Sequence, residues 1–122
     1  MPAIGWILLS VVALFPFFLM ASLSHDRLVR RLYDLHREEW KSAGSPPGFF
    51  WRPPEGMSPT ALPAFIKSTM TWAFRPPPAL ANDPEARRTL RFLRLGLIVW
   101  NVGGLALFGF AVVHFPDFFP HF

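Results

Sequence analysis

Two long runs of the sequence contain no charged side chain, and they constrain the fold more than any other feature. The first run covers residues 4–23 and the second covers residues 95–115. Because an α-helix rises ~1.5 Å per residue, about 20 residues cross the ~30 Å hydrocarbon core of a bilayer. We therefore predict two transmembrane helices. The alternative, a pair of buried core helices, needs further apolar elements that the middle of the chain does not supply.

The first run also has the position of a cleavable signal peptide, with small residues at 21, 22 and 24. Signal peptides begin with a basic segment and have an apolar core of roughly 7–15 residues. This run has no basic start, and its apolar stretch is longer. The sequence therefore favours a retained transmembrane helix.

All 12 Lys and Arg residues lie between Arg27 and Arg94, and they predict the topology. Short loops rich in Lys and Arg remain in the cytoplasm. We expect residues 24–94 to be cytoplasmic, and the short N-terminus, 1–3, and the tail, 116–122, to lie outside. This is the arrangement of a multi-pass membrane protein.

The cytoplasmic segment is expected to form a small, helical and Pro-rich cap over residues 24–83. Its predicted parts are an amphipathic helix at 25–42 that Ser24 would cap, a Pro-rich aromatic loop at 45–62, a short helix at 63–75 and a Pro-rich turn at 76–83. The fold class is thus an all-α membrane protein with two transmembrane helices in a hairpin.

Four aromatic side chains of the cap are candidates for contact with the membrane surface. Trp40 lies on the apolar face of the helix at 25–42, and Phe49, Phe50 and Trp51 follow in the loop. Such groups insert at the lipid interface or fill a pocket between helices. Both interpretations, and docking on a partner helix, stay open.

One continuous helix is predicted over 84–115, from a basic segment into the second span at 95–115. Asp83 and Pro84 form a typical helix start. Four arginines of its first turns are candidate contacts for anionic lipid headgroups: Arg87, Arg88, Arg91 and Arg94. The alternative is that these arginines only fix the orientation of the span.

Small and polar residues in the second span predict a helix-packing face. The candidates are Gly96, Asn101, Gly103 and Gly104. Glycines let another backbone approach closely, and an amide in a span needs a protein partner. The partner is either the first span or another chain, as a homo-oligomer or a membrane-protein complex.

The sequence has no motif of a known catalytic or cofactor site. It contains no Cys, no phosphate-binding Gly-rich loop and no H-E-x-x-H zinc motif. We expect no enzyme activity, no cofactor, no metal and no nucleic-acid partner. The residues nearest to a ligand set are His114, Asp117 and His121 in the tail, where two prolines make the spacing unsuitable for one helix face.

Three segments together resemble a family of small bacterial two-span proteins. The segments are 35–40 (LHREEW), the loop at 44–50 (GSPPGFF), and Asp83 at the start of an Arg-rich helix. In this order, after a first span, they are similar to the proteins grouped with universal stress protein B. The resemblance implies an inner-membrane protein without known catalysis, loosely connected to stress physiology, and it supplies no functional residues.

These patterns predict a non-catalytic accessory or interaction protein of the inner membrane whose cap lies at the membrane surface. The lipid bilayer with its anionic headgroups would be its first partner. The alternative is an accessory subunit of a larger membrane complex, in which the glycine face and the aromatic loop would be contact surfaces.

Overall fold

Five helices and no strand make up the part of the chain that the computed structural model describes, residues 3–115. The helices are α1 (Ala3–Leu35), α2 (Arg37–Ser42), α3 (Ala61–Thr71), α4 (Pro78–Ala81) and α5 (Pro84–His114). The predicted all-α hairpin of two long apolar helices is confirmed. At ~1.5 Å per residue, α1 and α5 are each about 45–50 Å long, so both extend beyond a ~30 Å hydrocarbon core.

The first span and most of the amphipathic segment form one helix, which corrects the predicted boundary at Ser24. Ser24 is buried inside α1 and does not cap a helix start. No Gly or Pro lies between Pro16 and His36, so the backbone hydrogen-bond ladder has no reason to stop at the end of the apolar run. The helix ends only near His36, where φ of −138° and ψ of 59° break the ladder before α2.

The helix predicted at 63–75 is α3, which begins at Ala61 and ends at Thr71. Its end comes earlier than predicted because Pro76, Pro77 and Pro78 have no N–H group to bond the carbonyls of residues 72–74. The predicted turn at 76–83 contains the single turn α4. Asp83 then caps α5 as expected, since its carboxylate accepts hydrogen bonds from the backbone N–H groups of Glu85 and Ala86.

The two long helices run antiparallel and pack through small residues. Gly96 lies against Ala21 and Gly103 lies against Leu14. Later residues of α5 thus contact earlier residues of α1, so the two helices run in opposite directions. A Cβ atom on Gly96 would lie 2.7 Å from the Phe17 carbonyl oxygen and 2.9 Å from the Ala21 nitrogen. The backbones therefore approach so closely that only glycine fits at this crossing.

The cap has a hydrophobic core of its own, built on the C-terminal part of α1. Leu28, Val29 and Leu32 are fully buried, and Trp40 is only 2% exposed. Residues from the other elements close the core: Trp72, Ala73, Leu80, Ala86, Leu90 and Leu93. Most of the apolar face predicted at 25–42 is thus covered by protein, although Leu35 at its end is 58% exposed. Trp40 lies in the cap core and not at a membrane surface, which corrects the prediction for this residue.

The apolar halves of α1 and α5 have the opposite character, because their side chains are largely exposed. The most apolar 18-residue window is 0% buried in α1 and 6% buried in α5. Val12 is 68% exposed and Leu105 is 72% exposed. Both helices are long and apolar enough to cross a membrane.

Candidate functional site

Asp26 anchors the loop that carries the predicted aromatic side chains. Its buried carboxylate accepts hydrogen bonds from three successive backbone N–H groups, those of Phe49, Phe50 and Trp51. The last two bonds measure 2.8 and 3.1 Å. Burial raises the pKa of Asp26, but the neighbouring His25 ring and the three N–H groups lower it more, so the pKa lies below its usual value.

The same loop fits Asp26 only because residue 48 is glycine. A Cβ atom at Gly48 would overlap the Asp26 carboxylate. The loop closes on itself, since the Gly48 nitrogen donates to the Trp51 carbonyl at 3.0 Å and Arg52 donates to the Gly48 carbonyl at 2.6 Å. Residues 48–52, called the aromatic loop below, therefore form a turn folded around one buried carboxylate.

His25, beside Asp26 on α1, joins the same region to α3. The His25 ring is fully buried, and its Nε2 lies 2.7 Å from Ser68 Oγ. The Ser68 hydroxyl also donates to the Phe65 carbonyl at 2.9 Å. The other ring nitrogen, Nδ1, has no hydrogen-bond partner among residues 3–115 and lies 3.8 Å from Asp26 Oδ1.

Three aromatic rings surround the His25 imidazole. The Phe49, Phe65 and Trp72 centroids lie 5.4, 5.6 and 5.6 Å from it. Phe49 also stands edge-on to Phe18 of the first apolar helix, at 6.0 Å. This cluster connects the cap to the top of the spans, and aromatic pairs of this kind contribute about 0.5–1.5 kcal/mol each beyond the burial of their area.

A second set of contacts ties α1 to the start of α5. Arg31 pairs with Asp83, and its Nη1 lies 2.9 Å from Glu85 Oε2. The hydrogen bond from Arg31 holds the pKa of Asp83 below its usual value. Farther along α1, the Tyr33 hydroxyl donates to Glu55 at 2.6 Å, which lowers the pKa of that carboxyl group.

A groove opens between α1, α3 and α5, directly below the aromatic cluster. Its volume is about 560 Å³, within the ~300–1,000 Å³ of typical ligand sites. The lining is mainly apolar: Phe18, Ala21, Phe49, Met70, Phe74, Leu93, Leu97, Ile98, Trp100 and Val102. The groove lies where the exposed apolar part of the hairpin meets the folded cap.

His25 also lines the groove and is buried there with its Nδ1 unpartnered among residues 3–115, whereas the hydroxyl and amide side chains of the lining bond within the protein. Ser22 donates to the Phe18 carbonyl at 2.9 Å, Thr69 to the Ile66 carbonyl at 2.8 Å, and Asn101 to the Leu97 carbonyl at 2.7 Å. Each of these bonds returns to the helix of its own donor, so the groove offers little polar recognition and is suited to an apolar group.

The predicted basic residues lie exposed on α5, and two of them reach back to the cap. Arg94 donates from Nε to the Ala73 carbonyl at 3.0 Å, and Arg87 to the Ala81 carbonyl at 2.8 Å. Arg88 and Arg91 make no hydrogen bond or ion pair within residues 3–115. The Arg94 guanidinium lies 5.9 Å from the Phe74 ring, at the cap end of the groove.

The three loop aromatics differ in their surroundings. Phe50 is 64% exposed, whereas Phe49 is half-buried in the ring cluster and Trp51 is half-buried against Tyr33, at 5.1 Å. Phe49 and Trp51 therefore pack within the protein, and Phe50 alone keeps the exposure expected of a membrane-surface residue.

The residues predicted for helix packing also divide. Gly96 and Gly103 contact α1, whereas a Cβ atom on Gly104 would meet no atom of residues 3–115 within 4 Å. Asn101 is exposed and its amide bonds to its own helix and not to the first span, so of the two predicted partners only contact with another chain stays a prediction. Helical Asn can satisfy its donor on the preceding turn, so a span containing Asn does not require an outside partner.

An exposed apolar row on α3 was not among the predicted site residues. Leu62, Ile66 and Met70 recur every fourth residue and are 66%, 48% and 73% exposed. The opposite face of α3 carries the buried Ala61, Ala64 and Ser68. The four-residue spacing was readable in the sequence, but which face of so short a helix is buried depends on the tertiary fold.

No group of three or more possible metal ligands occurs among the described residues. Asp117 and His121 lie outside that range, and His114 stands exposed at the end of α5 with its ring 4.2 Å from Phe110. No known protein family, curated protein or solved structure matches the chain. The resemblance to proteins grouped with universal stress protein B therefore stays a prediction.

Proposed function

We propose that the chain is a small, non-catalytic accessory protein of a bacterial inner membrane, with α1 and α5 crossing the bilayer. The observation that carries this proposal is the division of exposure along each long helix. Apolar side chains such as Leu8, 61% exposed, cover the outer half of the hairpin, while the cap buries its own core. An exposed apolar surface of this extent belongs in lipid or against another protein.

The arrangement of charge supports a cytoplasmic cap. Every Lys and Arg lies between the two spans, and the described termini carry none. The positive-inside rule then places the cap in the cytoplasm and both ends of the chain outside.

The exposed row on α3 supports contact between the cap and the membrane surface. Leu62, Ile66 and Met70 face away from the cap core, and Phe50 and Phe74 are exposed beside the end of the spans. An amphipathic helix of this kind lies in the headgroup layer with its apolar side down. In this proposal α3, rather than the helix of residues 25–42, is the surface-lying element of the cap.

The alternative function is an accessory subunit of a larger membrane complex. It is favoured by Gly104 and Gly109, where an added Cβ would meet nothing within residues 3–115. These positions leave room for another helix to approach the α5 backbone closely.

Two experiments test the proposal. Alkaline carbonate washing of membranes should leave the chain in the membrane pellet, and a periplasmic phosphatase reporter fused after Phe122 should be active while a fluorescent reporter there stays dark. Release by carbonate contradicts the spans, and the opposite reporter pair contradicts the topology. Purification in mild detergent then separates the two functions, because a subunit co-purifies with a stoichiometric membrane partner and a stand-alone protein does not.

A further inference from the structure

We propose that the groove between α1, α3 and α5 is a binding site for one anionic phospholipid of the cytoplasmic leaflet. The site would hold an acyl chain along the groove and the phosphate group at Arg94. This inference rests on the proposed function, since it needs both long helices to lie in a bilayer. It adds a specific ligand to what would otherwise be general contact with lipid.

The walls of the groove suit a hydrocarbon chain. They are formed mostly by apolar side chains, and the hydroxyl and amide groups of Ser22, Thr69 and Asn101 already bond to their own helices. A ligand with several polar groups along its length would find few free partners there, whereas an acyl chain needs none.

Charge identifies the other end of the ligand. The Nε of Arg94 is fixed on the Ala73 carbonyl, and its guanidinium lies over Phe74, a residue of the groove wall. Arg94 does not itself line the groove, but its remaining N–H groups have no partner within residues 3–115 and its guanidinium faces Phe74, which does line it. A guanidinium held in this way is suited to a phosphate oxygen pair.

The basic residues of α5 continue into the groove along one helix face. Arg87, Arg91 and Arg94 are spaced by four and three residues, and the same spacing continues to Ile98 and Asn101, which line the groove. The arginines would attract the anionic headgroup to the end of this helix face, where the acyl chain of the same lipid would enter the groove. Basic pockets between spans on the cytoplasmic side are typical sites for such lipids.

The position of the groove along the hairpin agrees with this occupant. The apolar run of α5 begins at Leu95, immediately after Arg94, so the arginine stands at the level where hydrocarbon gives way to headgroups. The exposed α3 row ends at Met70, which also lines the groove. If this row faces the headgroup layer, the groove opens toward the lipid. A second copy of the chain would bring its own arginines to this entrance, and like charges would repel.

Native mass spectrometry of the full chain, purified from vesicles of equal phosphatidylglycerol and phosphatidylethanolamine with matched acyl chains, tests the site. We expect one retained phosphatidylglycerol per chain. The variant Arg94→Gln should retain about five-fold less, which corresponds to the ~1 kcal/mol of one basic residue at an anionic surface. The matched control Arg88→Gln removes the same charge from a residue off the stripe and should retain nearly as much as the wild type.

A second pair of variants tests the groove itself. Val102→Trp places a large ring on the groove wall and should abolish retention of the lipid, whereas Leu105→Trp alters an exposed position of the same helix that does not line the groove. Equal retention of both lipids, or equal loss in the Arg94 and Arg88 variants, overturns the proposal in favour of general surface attraction. A retained second chain in place of lipid overturns it in favour of a dimer.

Carbonate extraction of the same preparations distinguishes the two levels of the argument. A chain that stays in the membrane but retains no selective lipid contradicts this site alone. A chain that carbonate releases contradicts the proposed function as well.

Discussion

Replacing Asp26 by Asn should release the aromatic loop from α1 without changing the shape of the side chain. In the native protein Oδ1 accepts from Phe49 and Oδ2 accepts from both Phe50 and Trp51. Asparagine has one carbonyl oxygen, so its NH₂ group must face at least one backbone N–H. Hydrogen bonds to a charged acceptor contribute about 1.5–3 kcal/mol each, against about 0.5–1.5 for neutral ones.

The expected cost is about 3–6 kcal/mol in the opening free energy of the loop, because one bond is lost and each of the other two weakens by about 1–1.5 kcal/mol. Hydrogen exchange of the amides of residues 49–51 measures this quantity directly. At ~1.4 kcal/mol per factor of ten, their exchange should become roughly a hundred-fold to ten-thousand-fold faster.

Asp34→Asn is the matched control, because Asp34 lies exposed on the same helix and makes no hydrogen bond or ion pair within residues 3–115. It should leave the exchange of the loop amides unchanged. If both variants give the same rates, the carboxylate of Asp26 does not hold the loop and the reasoning is refuted.

Four further predictions concern the pH dependence of Asp26, the glycine crossing of the long helices, the pair of Asp83 and Arg31, and two tryptophans. The pKa of Asp26 is lowered below 3.8, so its contribution to stability is fully present above about pH 4 and disappears as pH falls through the lowered pKa. Near-ultraviolet circular dichroism of the wild type should therefore show a loss of aromatic signal over this pH range. The Asp26→Asn variant should not show that pH-dependent loss. Gly96→Leu should destabilise the detergent-solubilised hairpin by about 1–3 kcal/mol in thermal unfolding, because its Cβ meets the α1 backbone, while Gly104→Leu should have little effect. Asp83→Asn keeps a helix cap but loses the charge pair with Arg31, so its destabilisation relative to wild type should decrease in high salt without disappearing, because the pair is partly buried. In single-Trp variants, the fluorescence of Trp6, which is 52% exposed on the first span, should be quenched by brominated acyl chains. The fluorescence of Trp40, which is 2% exposed, should be quenched neither by those lipids nor by iodide. Quenching of Trp40 by the lipids would contradict its burial and support a cap helix that faces the membrane.

The sequence was sufficient for the long helices, because their signal is local. Charge exclusion over residues 4–23 and 95–115, and the Asp83 and Pro84 helix start, each depend on neighbouring residues only. The change from apolar to amphipathic composition predicts a helix boundary at Ser24, but α1 continues to Leu35. A helix ends where its hydrogen-bond ladder is broken, and nothing between residues 17 and 35 breaks it.

The site below the cap was less accessible to sequence reasoning, since its residues come from distant segments. The Asp26 carboxylate meets N–H groups 23 to 25 residues away, and His25 meets Ser68 43 residues away. One local signal is present in the sequence. His25 lies three residues before Leu28 and seven before Leu32, which puts all three on the same, buried face of α1. A buried ring there indicates a polar partner, but no spacing in the sequence identifies which one.

The predicted membrane contacts of the cap illustrate a related difficulty. The apolar face of residues 25–42 has the same sequence pattern whether it contacts lipid or protein. In the structure, side chains from α4, α5 and the segment after α3 pack against it. With most of that face covered, the row of Leu62, Ile66 and Met70 is the exposed apolar row on a helix of the cap, and Phe50, Met57 and Phe74 are exposed in its loops.

The central claim is that α1 and α5 cross the bilayer and leave the cap in the cytoplasm. The chain contains no Cys, so single cysteines introduced at Ser42 in the cap and at Val12 and Leu105 on the exposed spans can be compared without background. With a membrane-impermeant maleimide, we predict reaction of the Ser42→Cys variant in inside-out vesicles but not in intact cells, and no reaction of the two span variants in either preparation. Reaction of Val12→Cys and Leu105→Cys as fast as that of Ser42→Cys would show that the apolar helices lie in water and would contradict the account.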